Sequence, residues 1–186
     1  VAVVPGLHYA DGWIDRESEN ALLACIDAGE WATELRRRVQ HYGHRYDYGR
    51  RGVGEPAEPV PVWAAELADR LVAEGLMDKA DQVIVNEYLP GQGISAHVDC
   101  VPCFGPVVAA VSLGSAYTMD FLHDTGSHPV RLERGSLCVM SGPARYTWKH
   151  RIAARRSDPG PQGRMPRGRR VSVTFRTIAT GGATAG

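Results

Sequence analysis

Arg170-Val171-Ser172-Val173-Thr174-Phe175-Arg176 is the stretch that decides the fold. Val171, Val173 and Phe175 alternate with Arg170, Ser172, Thr174 and Arg176, the period of two that sends successive side chains to opposite faces of a strand. One face is apolar and belongs against a core. The other is polar and cationic, which suits a sandwich with a ligand-holding mouth. Upstream, further short strands are expected at about 82–88, 94–98, 107–113, 117–122, 129–133, 136–140 and 146–152. Pro90-Gly91, Gly105-Pro106, Gly126, Gly135 and Gly142-Pro143 punctuate them.

Two helices precede these strands. The first is expected from about Asp15 to Ala28, with Glu17 and Glu19 in its opening turn, an apolar stripe of Leu22, Leu23 and Ile26, and Gly29 as its stop. The second begins at Pro61, aligns Ala64, Leu67, Ala68 and Leu71, and ends at Gly75. Two helices followed by eight short strands predict an α+β, mainly β fold. Its form is a double-stranded β-helix (jelly roll) with the N-terminal helices packed on one sheet. At 186 residues the chain is expected to form one domain over 1–178, with the Gly/Ala/Thr-rich end, 179–186, as a flexible tail.

The 21 basic and 21 acidic residues balance, which argues against both a basic nucleic-acid-coating protein and an acidic disordered chain. The balance is uneven along the chain. Residues 1–144 hold 11 basic and 20 acidic groups, whereas residues 145–186 hold 10 basic and one acidic. No apolar run approaches the roughly 18–20 residues of a membrane span, and the start lacks the charged region of a signal peptide. A cytoplasmic enzyme is expected, with no membrane and no obligate protein partner. The excess of Arg over Lys, 19 to 2, is what a GC-rich bacterial genome produces. Cys25 and Cys138 sit in apolar runs and read as buried thiols. Cys100 and Cys103 form a lone C-x-x-C without the second half a zinc site needs.

His97-Val98-Asp99 brings an imidazole and a carboxylate to the same side of an extended segment. With His150 they make two histidines and one carboxylate. That set suits a facial triad, which holds Fe(II) from one side and leaves three positions open. Chance and hydrogen bonding in a core explain most lone His-x-Asp pairs, so the surroundings decide. Arg170 and Arg176 share a strand face, and two guanidinium forks fit a dicarboxylate. Asn86 and Tyr88 add an amide and a phenol on another strand. A solvated edge strand and a core aromatic are the plainer alternatives for these residues taken singly.

Four motifs in order resemble one family. Asn86-Glu87-Tyr88-Leu89-Pro90-Gly91-Gln92-Gly93-Ile94, His97-Val98-Asp99, Arg145-Tyr146-Thr147-Trp148-Lys149-His150 and Arg170 to Arg176 are similar to the AlkB family of Fe(II)/2-oxoglutarate dioxygenases. The segment Arg37-Arg38-Val39-Gln40-His41-Tyr42-Gly43-His44-Arg45-Tyr46-Asp47-Tyr48 resembles that family's nucleotide-recognition lid. The resemblance implies that His97, Asp99 and His150 hold iron. It also implies that Asn86, Tyr88 and Arg170 take the distal carboxylate of 2-oxoglutarate, with Arg176 near the metal-bound end. Arg38, Gln40, Tyr42, Tyr46 and Tyr48 would then meet the substrate. The implied cofactor is Fe(II), with 2-oxoglutarate and O2 as cosubstrates. The reaction is oxidative decarboxylation of 2-oxoglutarate to succinate and CO2, coupled to oxidation of a substrate C–H bond.

Three readings of the substrate follow. The first is dealkylation or hydroxylation of modified bases in DNA or RNA, favoured by the lid-like segment and by the Arg-rich stretch 155–169. That stretch suits either a mobile phosphate clamp or a disordered insertion. The second is oxidation of a free nucleoside or nucleotide in nucleoside-antibiotic biosynthesis. The third is a non-catalytic binding module on the same scaffold, which the intact triad disfavours.

Overall fold

Asp15 accepts a hydrogen bond from the Ser18 amide at 2.8 Å and so caps α1 (Arg16–Asp27) in the computed structural model of the protein, which describes residues 3–47 and 52–179. Such a cap stabilises a helix by about 1 kcal/mol. Pro61 precedes α2 (Val62–Ala73) at a position where no helical amide is required. The buried Ala64, Leu67 and Leu71 of α2 and Ile26 of α1 share one core cluster with Val83, Val85, Val111, Val173 and Phe175. Fully burying a side chain such as Phe175 contributes about 1.5–3 kcal/mol.

Around these helices run β1 (Leu7–Ala10), β2 (Val39–Tyr42), β3 (His44–Asp47), β4 (Gly52–Pro56), β5 (Gln82–Tyr88), β6 (Ile94–His97) and β7 (Phe104–Gly114). They are followed by β8 (Tyr117–His123), β9 (Gly126–Leu132), β10 (Leu137–Met140), α3 (Gly142–Tyr146), β11 (Lys149–Ile152), β12 (Ser157–Gly160), β13 (Gly163–Pro166) and β14 (Arg170–Ile178). A six-stranded sheet has the order β1-β10-β7-β14-β5-β2, and a four-stranded sheet the order β6-β11-β8-β9. All their pairings are antiparallel. Hairpins β3–β4 and β12–β13 form separate two-stranded sheets. This is the expected double-sheet architecture, with helices on the outer face of the larger sheet.

β14 sits centrally in that larger sheet, between β7 and β5. Val171, Val173 and Phe175 join the helix-side core. Arg170, Ser172, Thr174 and Arg176 therefore point between the sheets. There a second cluster, including Tyr88, Val108, Tyr117, Phe121 and Ile152, fills the sandwich.

Three expectations change. The strand expected over 146–152 is divided, because Pro143 starts the short α3 and the Thr147 and Trp148 amides both return to its carbonyl. Only Lys149–Ile152 is left extended. Cys25 is exposed on α1, whereas Cys138 is buried as expected. The Arg-rich stretch 155–169, expected as a loop, contains the hairpin β12–β13, and two of its arginines close on the buried Asp158. No helix among the described residues is long and apolar enough to cross a membrane.

Candidate active site

Strand β6 delivers His97 at its last residue, and Asp99 follows in the turn toward β7. His150 lies on β11, directly opposite His97 in the register of the smaller sheet. That register needs a glycine. A Cβ on Gly93 would overlap the Ile152 carbonyl and crowd the Ala154 amide, so only glycine lets the start of β6 lie this close to β11.

His97 Nε2 lies 3.4 Å and His150 Nε2 3.9 Å from Asp99 Oδ1, and the two imidazole centroids are 4.3 Å apart. The ligand atoms of the three residues all fall within 4.8 Å of one another. His97 Nδ1 donates to the Ser95 carbonyl at 2.8 Å, which in the neutral ring turns the Nε2 lone pair toward the centre. Burial opposes the charge on Asp99. Arg176 and the two imidazoles outweigh it and hold the carboxyl well below the usual carboxylate range. Burial also pushes the His150 imidazole down to about 4 against the pull of Asp99. A carboxylate and two imidazoles with converging lone pairs fit a divalent first-row metal, and this donor set with an open side fits Fe(II).

Beside the triad lies a cationic pocket. Arg170 is 1% exposed, and its Nη2 donates to Ser112 Oγ at 2.8 Å. Its Nε and Nη1 are buried without an acceptor among the described residues. A buried guanidinium with two unfilled nitrogens is costly unless an anion completes it. A carboxylate can accept from these unfilled donors, so the pocket suits 2-oxoglutarate. The Tyr88 ring lies 5.3 Å from the Arg170 guanidinium. Asn86 is on the same inward face but accepts from Arg37 Nε at 3.3 Å. Arg176 lies at the metal end, donating to Asp99 Oδ2 at 3.1 Å and covering Phe104 at 4.8 Å. Six residues of strand put about 20 Å between the two arginine backbones, which leaves room for a short ligand between the ends of their side chains.

The residues expected at the substrate divide by strand parity. Gln40 donates to the Ile26 carbonyl, and Tyr42 packs edge-on against Trp63. Arg38 pairs with Glu87 through two bonds of 2.8–2.9 Å and covers Trp31. All three are thus turned to the helix side of β2, away from the triad. The inward positions are one residue out of phase: Arg37 reaches Asn86, and Val39 and His41 pair across from Asn86 and Ile84. Tyr46 on β3 lies with its ring 5.8 Å from Phe104, and the Arg176 guanidinium covers that same Phe104. Tyr48 lies outside the described residues.

The C-terminal excess of positive charge is largely consumed within the fold. Arg155 and Arg167 close on the buried Asp158, with Arg167 bidentate at 2.7 and 2.9 Å. Arg169 joins Asp27 to Glu87, and Arg151 pairs with Asp120. The hairpin β12–β13 is therefore fastened at its base by a buried ion cluster. Among the described residues, the exposed C-terminal cations Lys149, Arg156 and Arg164 lack a carboxylate partner, and Arg164 instead bonds Ser157.

Sequence reasoning gave no role to Ser112, Arg37 or Arg145. Ser112 is invisible in sequence because it meets Arg170 only across the β7–β14 register. Arg145 stands in the quoted motif that ends in His150, and that proximity was the available signal.

A family model described as the 2OG-Fe(II) oxygenase superfamily matches residues 12–176. The mouse (Mus musculus) protein named tRNA (carboxymethyluridine(34)-5-O)-methyltransferase ALKBH8 is 35% identical over 206 residues, covering 95% of this chain and 31% of that protein. The chain thus spans about a third of the length of that relative. The Bos taurus protein named alpha-ketoglutarate-dependent dioxygenase alkB homolog 7, mitochondrial, is 31% identical over 159 residues, covering 82% of this chain and 72% of that one. The solved structure of OsALKBH1 shares the fold, with a TM-score of 0.71 at 18% identity over 93% of this chain and 97% of the other. The chain belongs to the AlkB homologue family within the 2OG-Fe(II) oxygenase superfamily, as an iron(II)- and 2-oxoglutarate-dependent dioxygenase.

Proposed function

We propose that this dioxygenase oxidises a C–H bond of a modified nucleic-acid base. Bound iron supplies oxidation of an unactivated C–H bond, one oxygen atom of O2 entering succinate and the other the substrate. On an N-methyl group the product is a hemiaminal that releases formaldehyde. The chain's own residues prepare this chemistry. His97, Asp99 and His150 hold the metal from one side. Arg170, supported by Ser112 and Tyr88, binds the distal carboxylate of 2-oxoglutarate, while Asn86 stays within reach and Arg176 orients the metal end. The observation that carries the substrate reading is Tyr46. Its ring rests beside Phe104, which the Arg176 guanidinium covers, and offers an aromatic face on which a base can stack. The mention of a transfer-RNA uridine in the name of the mouse relative supports the same class.

A second reading, a free nucleoside or nucleotide, is favoured by one observation: most C-terminal arginines are already paired within the chain, so few are left to track a polymer backbone. Succinate formation should be compared on methylated oligonucleotides and on a panel of free nucleotides, each at two salt concentrations. A polymer substrate requires turnover on oligonucleotides with affinity that falls steeply as salt rises. Turnover confined to monomers with little salt dependence overturns it.

A further inference from the structure

The guanidinium of Arg145 is buried, with the residue 2% exposed, and no carboxylate among the described residues pairs with it. Its donors go instead to four backbone carbonyls, two in the turn that starts at Asp99 and two in the first residues of β7. Nη1 bonds Asp99 at 2.8 Å, Nε bonds Gly105 at 3.2 Å, and Nη2 bonds Cys100 at 3.3 Å and Phe104 at 3.4 Å. This turn joins β6 to β7 and begins with the metal ligand Asp99. It is tightened internally by the Cys103 and Phe104 amides, which both donate to the Cys100 carbonyl, and by a Cys100–Cys103 disulfide. Arg145 itself lies on α3, five residues before the ligand His150. One side chain therefore ties the backbone under one ligand to the element that leads into another. The Asp99 carboxylate is steered separately, by Arg176 and His97.

We propose that Arg145 is a positioning residue for the metal centre, setting the place of Asp99 relative to His150. Only a planar fork with five donors reaches four carbonyls spread along that turn and the start of β7; an ammonium on a flexible stem reaches fewer. A partner that orients a ligand without touching the metal typically changes metal affinity by 10–100-fold when removed. The proposal rests on the iron-site reading of the triad, and the experiment separates the two.

Arg145→Met and Arg145→Lys are made in the full chain, their folding is checked by far-UV circular dichroism, and each is titrated with Co(II) while the visible d–d absorption is recorded. Wild type should bind Co(II) with a defined band, and His97→Ala should abolish that band. A wild-type chain that takes up no Co(II) overturns the iron site, and this proposal with it. Arg145→Met should bind Co(II) roughly 10–100-fold more weakly, with an altered band. Arg145→Lys should recover part of the affinity. Folded variants with wild-type affinity and spectrum overturn the proposal. If only Arg145→Lys folds, its affinity decides in the same way. If neither folds, the residue serves the fold and the proposal fails.

Discussion

Replacing Arg170 with methionine removes a buried cation that has one filled and two unfilled hydrogen-bonding nitrogens. In the ligand-free protein that cation has little to lose. Substituting an incompletely paired buried charge by an apolar side chain of similar length is often neutral or stabilising. In the complex with 2-oxoglutarate the change is of opposite sign. Removing one partner of a buried, hydrogen-bonded charge pair costs about 2–5 kcal/mol. At roughly 1.4 kcal/mol per tenfold, that weakens 2-oxoglutarate binding by about 30-fold to a few thousandfold. The assay is succinate formation against 2-oxoglutarate concentration, with thermal unfolding followed in its presence and absence. Wild type should gain Tm with 2-oxoglutarate, by about 2.7 kcal/mol of stability at 100 times Kd. Arg170→Met should keep or raise the ligand-free Tm and lose most of that gain. An unchanged 2-oxoglutarate requirement refutes the reasoning, as does a fall in ligand-free stability with binding intact.

Three further outcomes follow from other regions of the fold. Asp158→Asn strips the buried Arg167 of its counter-charge and should lower stability by about 3–5 kcal/mol in denaturant unfolding at pH 7. Burial opposes the charge on Asp158, but Arg167, Arg155 and the Thr118 amide hold its carboxyl below the ordinary range. Its contribution is then complete above about pH 4, the unfolded value, and is lost as pH falls through the folded value. The gap between wild type and variant should accordingly close only in acid; a gap that closes near neutrality contradicts the assignment. Tyr46→Ala should raise the substrate KM several-fold at unchanged Tm, whereas Tyr42→Ala should lower Tm and leave KM alone; reversed effects in steady-state kinetics contradict the two placements. Gly93→Ala drives β6 from β11 and should weaken Co(II) binding at least several-fold by titration; wild-type affinity shows that the close approach does not set the triad.

What was legible in the sequence is what depends on local periodicity. β14 alternates because its two faces meet a core and a ligand space, so both its strand character and its inward residues could be read directly. Helices α1 and α2 announce themselves by stripe, acidic first turn or starting proline, and terminal glycine. The metal ligands were legible because His97 and Asp99 sit two apart on one segment. Strand β2 shows the limit. Its flanking arginines and Tyr42 favour neither face, and only pairing with β5 sets its phase, which turns Arg38, Gln40 and Tyr42 outward. Hairpin β12–β13 carries no hydrophobic period at all, because Asp158 with its arginines holds it. Contacts between charges distant in sequence, such as Arg169 with Asp27 and Glu87, leave no local trace. Of the charges that the sequence segregates into an acidic stretch and a basic one, Arg151, Arg169 and Arg176 cross over to pair with Asp120, Asp27, Glu87 and Asp99.

Iron held by His97, Asp99 and His150 is the claim on which the chemistry most depends. The direct measurement is Fe(II)-dependent conversion of 2-oxoglutarate to succinate by the purified chain, compared with Asp99→Ala under the same conditions. Wild type should form succinate only with Fe(II) and O2 present, and Asp99→Ala should fall to background while remaining folded. Succinate formation that persists in a folded Asp99→Ala chain, or that proceeds in wild type without iron, contradicts the iron assignment.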